Sequence, residues 1–390
     1  MSGLAWLVAI ILAVPLGVLC LELIAGLFPS APAAASGRQV ATAILIPAHD
    51  EESGISATIE ELRAVAPPGT RILVVADNCT DGTATKARAA GVEVVERHDP
   101  THRGKGYALA FGRDHLAATN HPEVVIVLDA DCRLASGSVE TLAHHASLRG
   151  APAQAINLIT PNLAAAPMVQ FSSFAMLVKN LYRSRGMQRL GGAALLTGTG
   201  MAFPWALFAN ADLATGSIVE DLSLGIEMTR AGHVPLLVSQ AQVRSAPAAM
   251  ADALQQRKRW EHGFLETMRS SGLPVLGHGL RHRSLTEILL GLHLLVPPLA
   301  LLLMLGAVGS LILALLAALG ASWLPFFVLA ALVVTVLASV GVAWAAGGRP
   351  FMAARTLATA PLYLLWKIPI YVGFIRKPQA SWVRTPRGPE

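Results

Sequence analysis

Long apolar segments near both ends are the feature that most constrains this chain. Residues 3–28 and the region from about residue 286 onward are rich in aliphatic side chains, whereas residues 40–280 have an ordinary soluble composition. Only 14% of all residues are charged, compared with about 25% in soluble domains. Because about 20 apolar residues can cross a bilayer, the pattern predicts a membrane protein with one soluble domain between membrane segments.

Three segments are predicted to span the membrane, at residues 3–28, 299–320 and 325–347. No Lys or Arg precedes Arg38, unlike the basic start of a cleaved signal peptide, so we expect a signal anchor. The positions of the basic residues around the spans then place the middle domain in the cytoplasm of a multi-pass inner-membrane protein. The predicted parts are an anchor (1–37), a soluble domain (38–270) and a C-terminal membrane region (271–390).

A further apolar segment, residues 361–375, contains Lys367 and leads into a basic tail. A crossing there would export that tail against the positive-inside rule. We therefore predict an interfacial or re-entrant helix, with Lys367 snorkelling and with Trp366 and Tyr371 at headgroup level. Residues 286–298 are predicted to form another such helix.

Apolar runs and helical patterns alternate in the middle domain. Because the runs are short, continuous and rich in β-branched residues, they are typical of strands buried on both faces. The alternation predicts a doubly wound, mostly parallel α/β sheet, whose ligands bind beyond the carboxyl ends of the strands. The predicted strands are 41–48, 71–77, 92–97 and 123–131, and the predicted helices lie near 54–65, 81–90 and 104–118.

Asp129 and Asp131 end the fourth predicted strand. Two residues apart on an extended strand, their carboxylates point the same way and repel each other unless a divalent cation lies near them. Oxygen ligands suit Mg²⁺ or Mn²⁺, which also bridges the phosphates of a nucleotide. A pair of acids in a polar loop is common by chance, so the cation reading depends on the neighbouring motifs.

Polar motifs also follow the other predicted strands. Lys105 lies between Gly104 and Gly106 at a helix start, where the backbone N–H groups and the helix dipole favour an anion. Asp77 ends the second strand and could accept from a base or ribose. A surface lysine and a polar turn are the alternatives, but four strand ends carrying such groups favour a shared site for an anionic ligand.

Two later motifs carry further candidates. Glu220 and Asp221 open a helix, where acids are normal because of the dipole, but a carboxylate held there could also deprotonate an acceptor hydroxyl. Gln256, Arg259 and Trp260 lie on one face of a predicted helix. The arginine can clamp a diphosphate and the tryptophan can stack on a sugar. A basic amphipathic helix on acidic lipids is the alternative.

In this order, the segments IPAHDEE, DNCTDGT, GKGYAL, DAD, GTG, ED and QRKRW resemble the membrane-bound family 2 glycosyltransferases with a GT-A fold. That group includes cellulose, chitin, hyaluronan and poly-N-acetylglucosamine synthases and exopolysaccharide glycosyltransferases. The resemblance covers roughly residues 40–265. It implies a GT-A cytoplasmic domain with N- and C-terminal transmembrane helices.

The resemblance also implies a role for each matching residue. Asp221, with Glu220 beside it, is the catalytic base, and Asp131 binds the Mg²⁺ or Mn²⁺ ion. Donor contacts are implied for Pro47, Glu51, Asp77, Lys105, Asp129 and Arg259. Acceptor contacts are implied for Gly198, Thr199, Gly200, Gln256 and Trp260.

The expected function is therefore inverting transfer of a sugar from a nucleotide donor, by preference a UDP-sugar, to a lipid-linked or saccharide acceptor at the membrane, in exopolysaccharide or envelope glycan synthesis. A processive polysaccharide synthase is the alternative within the family. Nucleotidyl transfer and a non-enzymatic membrane scaffold are alternatives from other classes. Nucleic acid is not an expected partner, because no basic stripe interleaved with aromatics accompanies the net charge of +5.

Overall fold

The computed structural model describes residues 1–30, 38–214, 219–246 and 250–376, with side chains of the last segment from residue 257 onward. The chain begins with one long apolar helix, α1 (Ser2–Leu27), which contains no Lys or Arg. The soluble part follows it, and the remaining apolar helices come at the end.

The first half of the soluble part alternates strands and helices as predicted. Its strands β1, β2 and β3 pair in parallel, and β4 lies parallel to β1 on the other side. The strand order therefore reverses at β1, with β2 and β3 on one side and β4 on the other. Ligands bind at such a switch point, between the ends of β1 and β4. The elements are β1 (Thr42–Ala48), α2 (Ile55–Val65), β2 (Arg71–Asp77), α3 (Thr83–Ala89), β3 (Glu93–Arg97), α4 (Lys105–Ala118) and β4 (Val124–Val127).

The second half turns this parallel unit into a mixed sheet. Its elements are β5 (Cys132–Leu134), α5 (Ser138–Arg149), β6 (Ala153–Ile159), α6 (Pro167–Leu177), α7 (Ser184–Arg189), β7 (Met201–Pro204), α8 (Trp205–Phe208), α9 (Glu220–Arg230), β8 (Leu236–Ser245) and α10 (Met250–Thr267). A π-helical turn, Val178–Arg183, joins α6 to α7. The strand order is β3-β2-β1-β4-β7-β6-β8-β5, with β7 antiparallel to both β4 and β6.

The core lies on both faces of the sheet. In β1, Ile44 and Ile46 pack into one buried cluster, whereas Ala43 and Leu45 pack into the other. All four side chains are fully buried. Burial on both faces explains why the strand sequences are continuous apolar runs without alternating polar residues.

The fourth strand is shorter than the sequence predicted. It ends at Val127, so Asp129 and Asp131 lie in a turn and not on a strand. The backbone N–H of Cys132 donates to the Asp129 carbonyl at 3.0 Å, which closes the turn before β5 begins. The two carboxylates are therefore brought together by the turn, and the strand argument for their common direction was wrong.

The C-terminal region is helical. Among the described residues, three helices are long and apolar enough to cross a membrane: α1, α13 and the stretch Leu324–Gly348. This agrees with the three predicted spans. The elements are α11 (Leu273–His282), α12 (Leu285–Leu294), α13 (Leu299–Ala318), α14 (Leu324–Ala343), α15 (Ala354–Leu357) and α16 (Ala360–Arg376), with π-helical turns at Met268–Gly272 and Trp344–Gly348.

The inner face of α16 differs from the prediction. Lys367 does not snorkel, because its side chain is 2% exposed and its ammonium group pairs with Glu261 of α10. Tyr371, predicted at headgroup level, is also buried, since this face packs against α10 and α13. Trp366 is half-buried, and its headgroup position stays a prediction.

A buried charge cluster attaches α1 to the rest of the protein. Glu22 of α1 accepts from Arg183 Nε at 2.8 Å and lies 2.7 Å from His293 Nδ1, and all three side chains are at most 5% exposed. A Cβ at Gly26 or at Gly186 would overlap the backbone of the facing helical segment, so these glycines permit the close crossing. An apolar span that buries one carboxylate against a cation is anchored in a single position.

Glu22→Ala should therefore destabilise the protein strongly, because it leaves Arg183 buried without its carboxylate. Removing one partner of a buried ion pair costs about 3–5 kcal/mol. Thermal unfolding of the purified protein in neutral detergent measures the change, with the exposed neighbour Leu21→Ala as a control on the same helix. Equal melting temperatures for the two variants would show that the cluster contributes no net stability.

Candidate active site

The turn after β4 holds the carboxylates expected to bind a cation. One oxygen each of Asp129 and Asp131 and the Sγ of Cys132 lie within 4.8 Å of one another. Cys132 is buried, and burial raises the pKa of its thiol well above the ordinary value. The two carboxylates offer hard oxygen donors, whereas a protonated thiol is a poor metal ligand, so the residues fit Mg²⁺ or Mn²⁺ better than a soft, thiolate-preferring metal.

Lys105 joins this turn to the glycine-rich segment before β7. Gly104 adopts a φ of +135° and α4 begins at Lys105, which sends the side chain toward the strand ends. The ammonium group pairs with Asp129 and donates to the Gly198 carbonyl at 2.5 Å. Burial opposes this charge, but Asp129, Glu220 and Asp221 outweigh it and raise the pKa of Lys105.

Glu220 and Asp221 open α9 as predicted, and both lie near the Lys105 ammonium group. A Cβ at Gly198 would lie 3.3 Å from Asp221 Oδ2 and 3.6 Å from Lys105 Nζ, so both side chains flank this glycine. Burial raises the pKa of Asp221, and burial together with the Asp221 charge raises the pKa of Glu220 to about 7. Two adjacent carboxylates with raised pKa values in one polar cleft are typical of an acid–base site.

The Gly198–Gly200 turn packs behind this cleft and contacts the backbone of Asp129. Gly198 and Gly200 have φ values of +83° and +64°, which favour glycine. The Thr199 hydroxyl is buried and accepts from the Asp129 backbone N–H at 3.1 Å. Thr199 therefore supports the turn that carries Asp129 and Asp131, and the acceptor contacts predicted for the three residues stay predictions.

Arg259 approaches the same carboxylates from α10. Burial lowers the pKa of its guanidinium, while the charges of Glu220, Asp129 and Asp131 oppose that shift. Trp260, the next residue, lies under the Arg257 guanidinium, whose Cζ is 5.5 Å from a ring centroid. The side chain of Gln256 is outside the described residues.

Asp77 is placed at the end of β2 as predicted, but it has a protein partner. Its Oδ1 accepts from Arg97 Nη1 at 2.7 Å and from Asn78 Nδ2 at 3.1 Å, and the residue is 7% exposed. Arg97 was missed by the sequence reasoning. It lies opposite Asp77 in the parallel register of β2 and β3, a relation that only the sheet order reveals.

Pro47 and Glu51 lie at the end of β1 beside the same edge of the sheet. Pro47 is half-buried, and the Glu51 backbone N–H donates to Thr83 Oγ1 at 2.8 Å. In the same region Asp50, Cys79 and Asp81 each offer an atom within 4.8 Å of the others. The Asp50 and Asp81 carboxylates already accept from backbone N–H groups of Thr80 and Glu52, so this group serves to close the loops.

A family model described as Glycosyltransferase like family 2 matches residues 39–263, which is more than half of the 390 residues. The matched range contains every strand of the sheet and every candidate residue above. The chain belongs to this glycosyltransferase family. The resemblance to family 2 glycosyltransferases inferred from the motifs is thereby confirmed.

Curated relatives are similar over a shorter stretch. Uncharacterized glycosyltransferases of Mycobacterium tuberculosis and Mycobacterium bovis are each 36% identical over 102 residues, which is 26% of this chain and 42% of theirs. The chain thus spans less than half the length of the curated relatives it matches.

A solved structure is similar over nearly the whole chain. It is a mannosyltransferase from Pyrobaculum calidifontis in complex with GDP-Man and Mn²⁺, with a TM-score of 0.52 and 14% identity over 95% of this chain and 100% of that one. This likeness supports the predicted GT-A fold with flanking apolar helices.

Asp131→Asn should weaken divalent-cation binding by at least about tenfold, because it removes one charged ligand from the turn. Calorimetric titration of Mn²⁺ in the presence of UDP measures the change. Asp114→Asn, which neutralises an exposed carboxylate on α4, is the matched control. The same Mn²⁺ affinity in both variants would exclude Asp131 as a ligand.

Proposed function

We propose that this protein is an inverting glycosyltransferase that uses a nucleotide-sugar donor, by preference a UDP-sugar. The supporting observation is the convergence of a two-carboxylate cation site, Arg259 and Asp221 around Lys105, in a chain of the glycosyltransferase family 2. Positive groups in this cleft can bind a diphosphate, and a carboxylate beside them can act as a base.

The donor half of the site would hold the departing diphosphate. A Mg²⁺ or Mn²⁺ ion held by Asp131, when bound, neutralises charge on the leaving diphosphate. Arg259 reaches the same carboxylates from α10 and can donate two parallel hydrogen bonds to phosphate oxygens. Lys105 and Asp129, already paired, would contact the nucleotide, while Asp77 at the end of β2 is proposed to contact its base.

The acceptor half depends on Asp221. Its carboxylate takes the proton from the acceptor hydroxyl, whose oxygen then forms the bond to the anomeric carbon. The bond from that carbon to the diphosphate oxygen breaks, and its electron pair leaves with the nucleoside diphosphate. One displacement inverts the anomeric configuration. Burial favours this role, because a raised pKa makes Asp221 a stronger base.

Glu220 would support the base because it is only partly ionised beside Asp221. With a pKa of about 7, Glu220 is partly protonated at neutral pH, which limits the repulsion that Asp221 meets. On the other side of the cleft, Trp260 is proposed to stack on the acceptor sugar, with Gln256 and the Gly198–Gly200 turn beside it.

We further propose the membrane arrangement expected from the charges. Residues 1–37 anchor the chain, residues 38–270 form the cytoplasmic catalytic domain, and residues 271–390 return to the inner membrane. The acceptor is then a lipid-linked or saccharide molecule at the cytoplasmic face, and the product belongs to an exopolysaccharide or envelope glycan. Three candidate spans in the described residues are consistent with single additions.

Asp221→Asn should lower the rate of sugar transfer by roughly 10²–10⁴-fold, because the amide cannot accept the acceptor proton. Nucleotide binding should remain, since the donor groups are untouched. Transfer from radiolabelled donor and UDP binding by calorimetry measure the two effects, with Asp114→Asn as the control. Transfer at the control rate by Asp221→Asn would exclude Asp221 as the base.

The reaction itself is tested with membranes that contain the protein and a panel of labelled nucleotide sugars. We expect label from one donor to enter the lipid-extractable or saccharide fraction, and to do so only with a divalent cation present. The length of the product separates single addition from processive synthesis. Release of pyrophosphate in place of sugar transfer would contradict the proposal and indicate nucleotidyl transfer.

A further inference from the structure

Lys179 is a cation near the base for which the reaction above has no role. It lies in the π-helical turn between the buried residues Val178 and Asn180, yet its own side chain reaches solvent. Its Nζ lies 5.7 Å from the centroid of the Phe264 ring. Among the side chains that the structure describes, no carboxylate is within ion-pair distance of this ammonium group.

The surroundings of Lys179 make its charge costly. Although part of the side chain reaches solvent, the protein atoms packed around it disfavour the charged form and lower its pKa to about 8. The charges of Arg183 and Arg257 add to this, and the charge of Asp221 opposes it. The carboxylate that acts on this ammonium group is therefore the proposed base, Asp221. Phe264, over which Lys179 lies, also packs in one cluster with Leu222, the residue after Asp221. An anion bound beside Asp221 would stabilise this ammonium group.

Arg257 is a second cation with unsatisfied bonding capacity. The residue is 7% exposed, and within the described part of the chain its buried Nη2 has no hydrogen-bond partner. A buried, charged donor left unsatisfied costs more than the roughly 1–3 kcal/mol of a neutral one. An oxygen of a bound ligand at that position would satisfy this donor.

The two cations belong to one surface. Arg257, Trp260 and Phe264 are at i, i+3 and i+7 of α10 and so share a helix face. The Arg257 guanidinium lies over Trp260 and the Lys179 ammonium lies over Phe264. This face thus places two positive groups beside two aromatic rings, with Arg257 and Phe264 buried and Lys179 reaching solvent.

This surface is distinct from the donor half of the site. Residues two apart on a helix point in nearly opposite directions, and Arg259 is the one whose charge meets Asp129 and Asp131. Arg257 instead interacts electrostatically with Tyr363 and Tyr371 of α16. It is therefore turned away from the nucleotide diphosphate.

We propose that Lys179 and Arg257 form a subsite for a phosphate group on the acceptor, next to Asp221. This deepens the glycosyl-transfer proposal and rests on it. Two cations match a phosphate dianion, and an arginine can bind two of its oxygens at once. Trp260 and Phe264 then offer an apolar wall to the part of the acceptor that carries the phosphate.

The subsite lies beside the apolar helices of the C-terminal region, which pack against α10. Leu265 of α10 packs with Ile370 of α16 and with Leu301 at the start of the second span. A phosphate carried by a lipid could enter from that side, and a soluble phosphate ester could enter from the cleft. The shared chemistry is the phosphate, and the two sources are separated by experiment.

The test measures phosphate binding by the full-length protein in nanodiscs, independently of transfer. The probes are phosphatidic acid in phosphatidylcholine nanodiscs and glycerol 3-phosphate in solution, followed by thermal stabilisation and calorimetry. We expect Lys179→Met to weaken binding of the phosphate probe about tenfold, the equivalent of one charge-assisted hydrogen bond. Lys179→Arg should retain binding, and Lys86→Met, which removes a lysine far from the subsite, should match the wild type.

The probe that binds identifies the source. Lys179-dependent stabilisation by phosphatidic acid alone supports a lipid-borne phosphate, and by glycerol 3-phosphate alone a soluble ester. Arg257→Gln should give a similar loss, but because Arg257 is buried, Lys179→Met decides the matter if that variant does not fold.

Equal binding by wild type and Lys179→Met, or no binding of either probe, overturns the subsite. If transfer nevertheless depends on Asp221, the glycosyl-transfer proposal stands without it. Conversely, Lys179-dependent phosphate binding without sugar transfer from any donor overturns the reaction while the subsite remains.

Discussion

The ion pair between Lys105 and Asp129 is the interaction on which the rest of the site depends. Asp129, Glu220 and Asp221 come from distant parts of the chain, and each acts on the same ammonium group. Carboxylates so near to one another would repel each other in a buried cleft if no cation lay among them. Lys105 also donates to the Gly198 carbonyl, so one side chain connects the Asp129–Asp131 turn, the glycine turn and the start of α9.

The position of this ion pair follows from sheet topology. The turn after β4 and the loop after β1 lie side by side because the sheet reverses its direction of growth between these two strands. β7 then pairs antiparallel with β4, which brings the Gly198–Gly200 turn behind Asp129. α9 and α10 bring Glu220, Asp221 and Arg259 to the same charged groups, so the proposed site is assembled from several elements at one edge of the sheet.

The candidate membrane helices are joined to the α/β part of the chain through charged contacts as well as apolar ones. Glu22 of the first span binds Arg183, which ends the π-helical turn that also carries Lys179. Lys367 of α16 binds Glu261 of α10, one residue after Trp260. Both ends of the proposed acceptor surface are therefore attached to apolar helices outside the sheet.

Prediction from the sequence succeeded where a local signal existed. The glycines around Lys105 and the acids opening α9 carry their own helix-start chemistry, and the structure has them at helix starts. The acids of DAD follow a strand, but in a turn and not on the strand itself. Asp77 shows the limit, because its partner Arg97 is identified only by the register of β2 and β3. Lys367 shows the same limit, since an isolated cation in an apolar segment looks like a snorkelling residue until its partner Glu261 is known.

The sequence by itself determined the three apolar helices, the alternating α/β pattern, the family and the candidate residues, because each of these depends on composition or spacing along the chain. Only the tertiary structure decided which charges meet. Asp129 and Asp131 are brought together by a turn and not by a strand. Arg257 and Arg259, two residues apart on α10, point to different surfaces. Electrostatic partners depend on distances through space between residues far apart in sequence, and no local pattern encodes those distances.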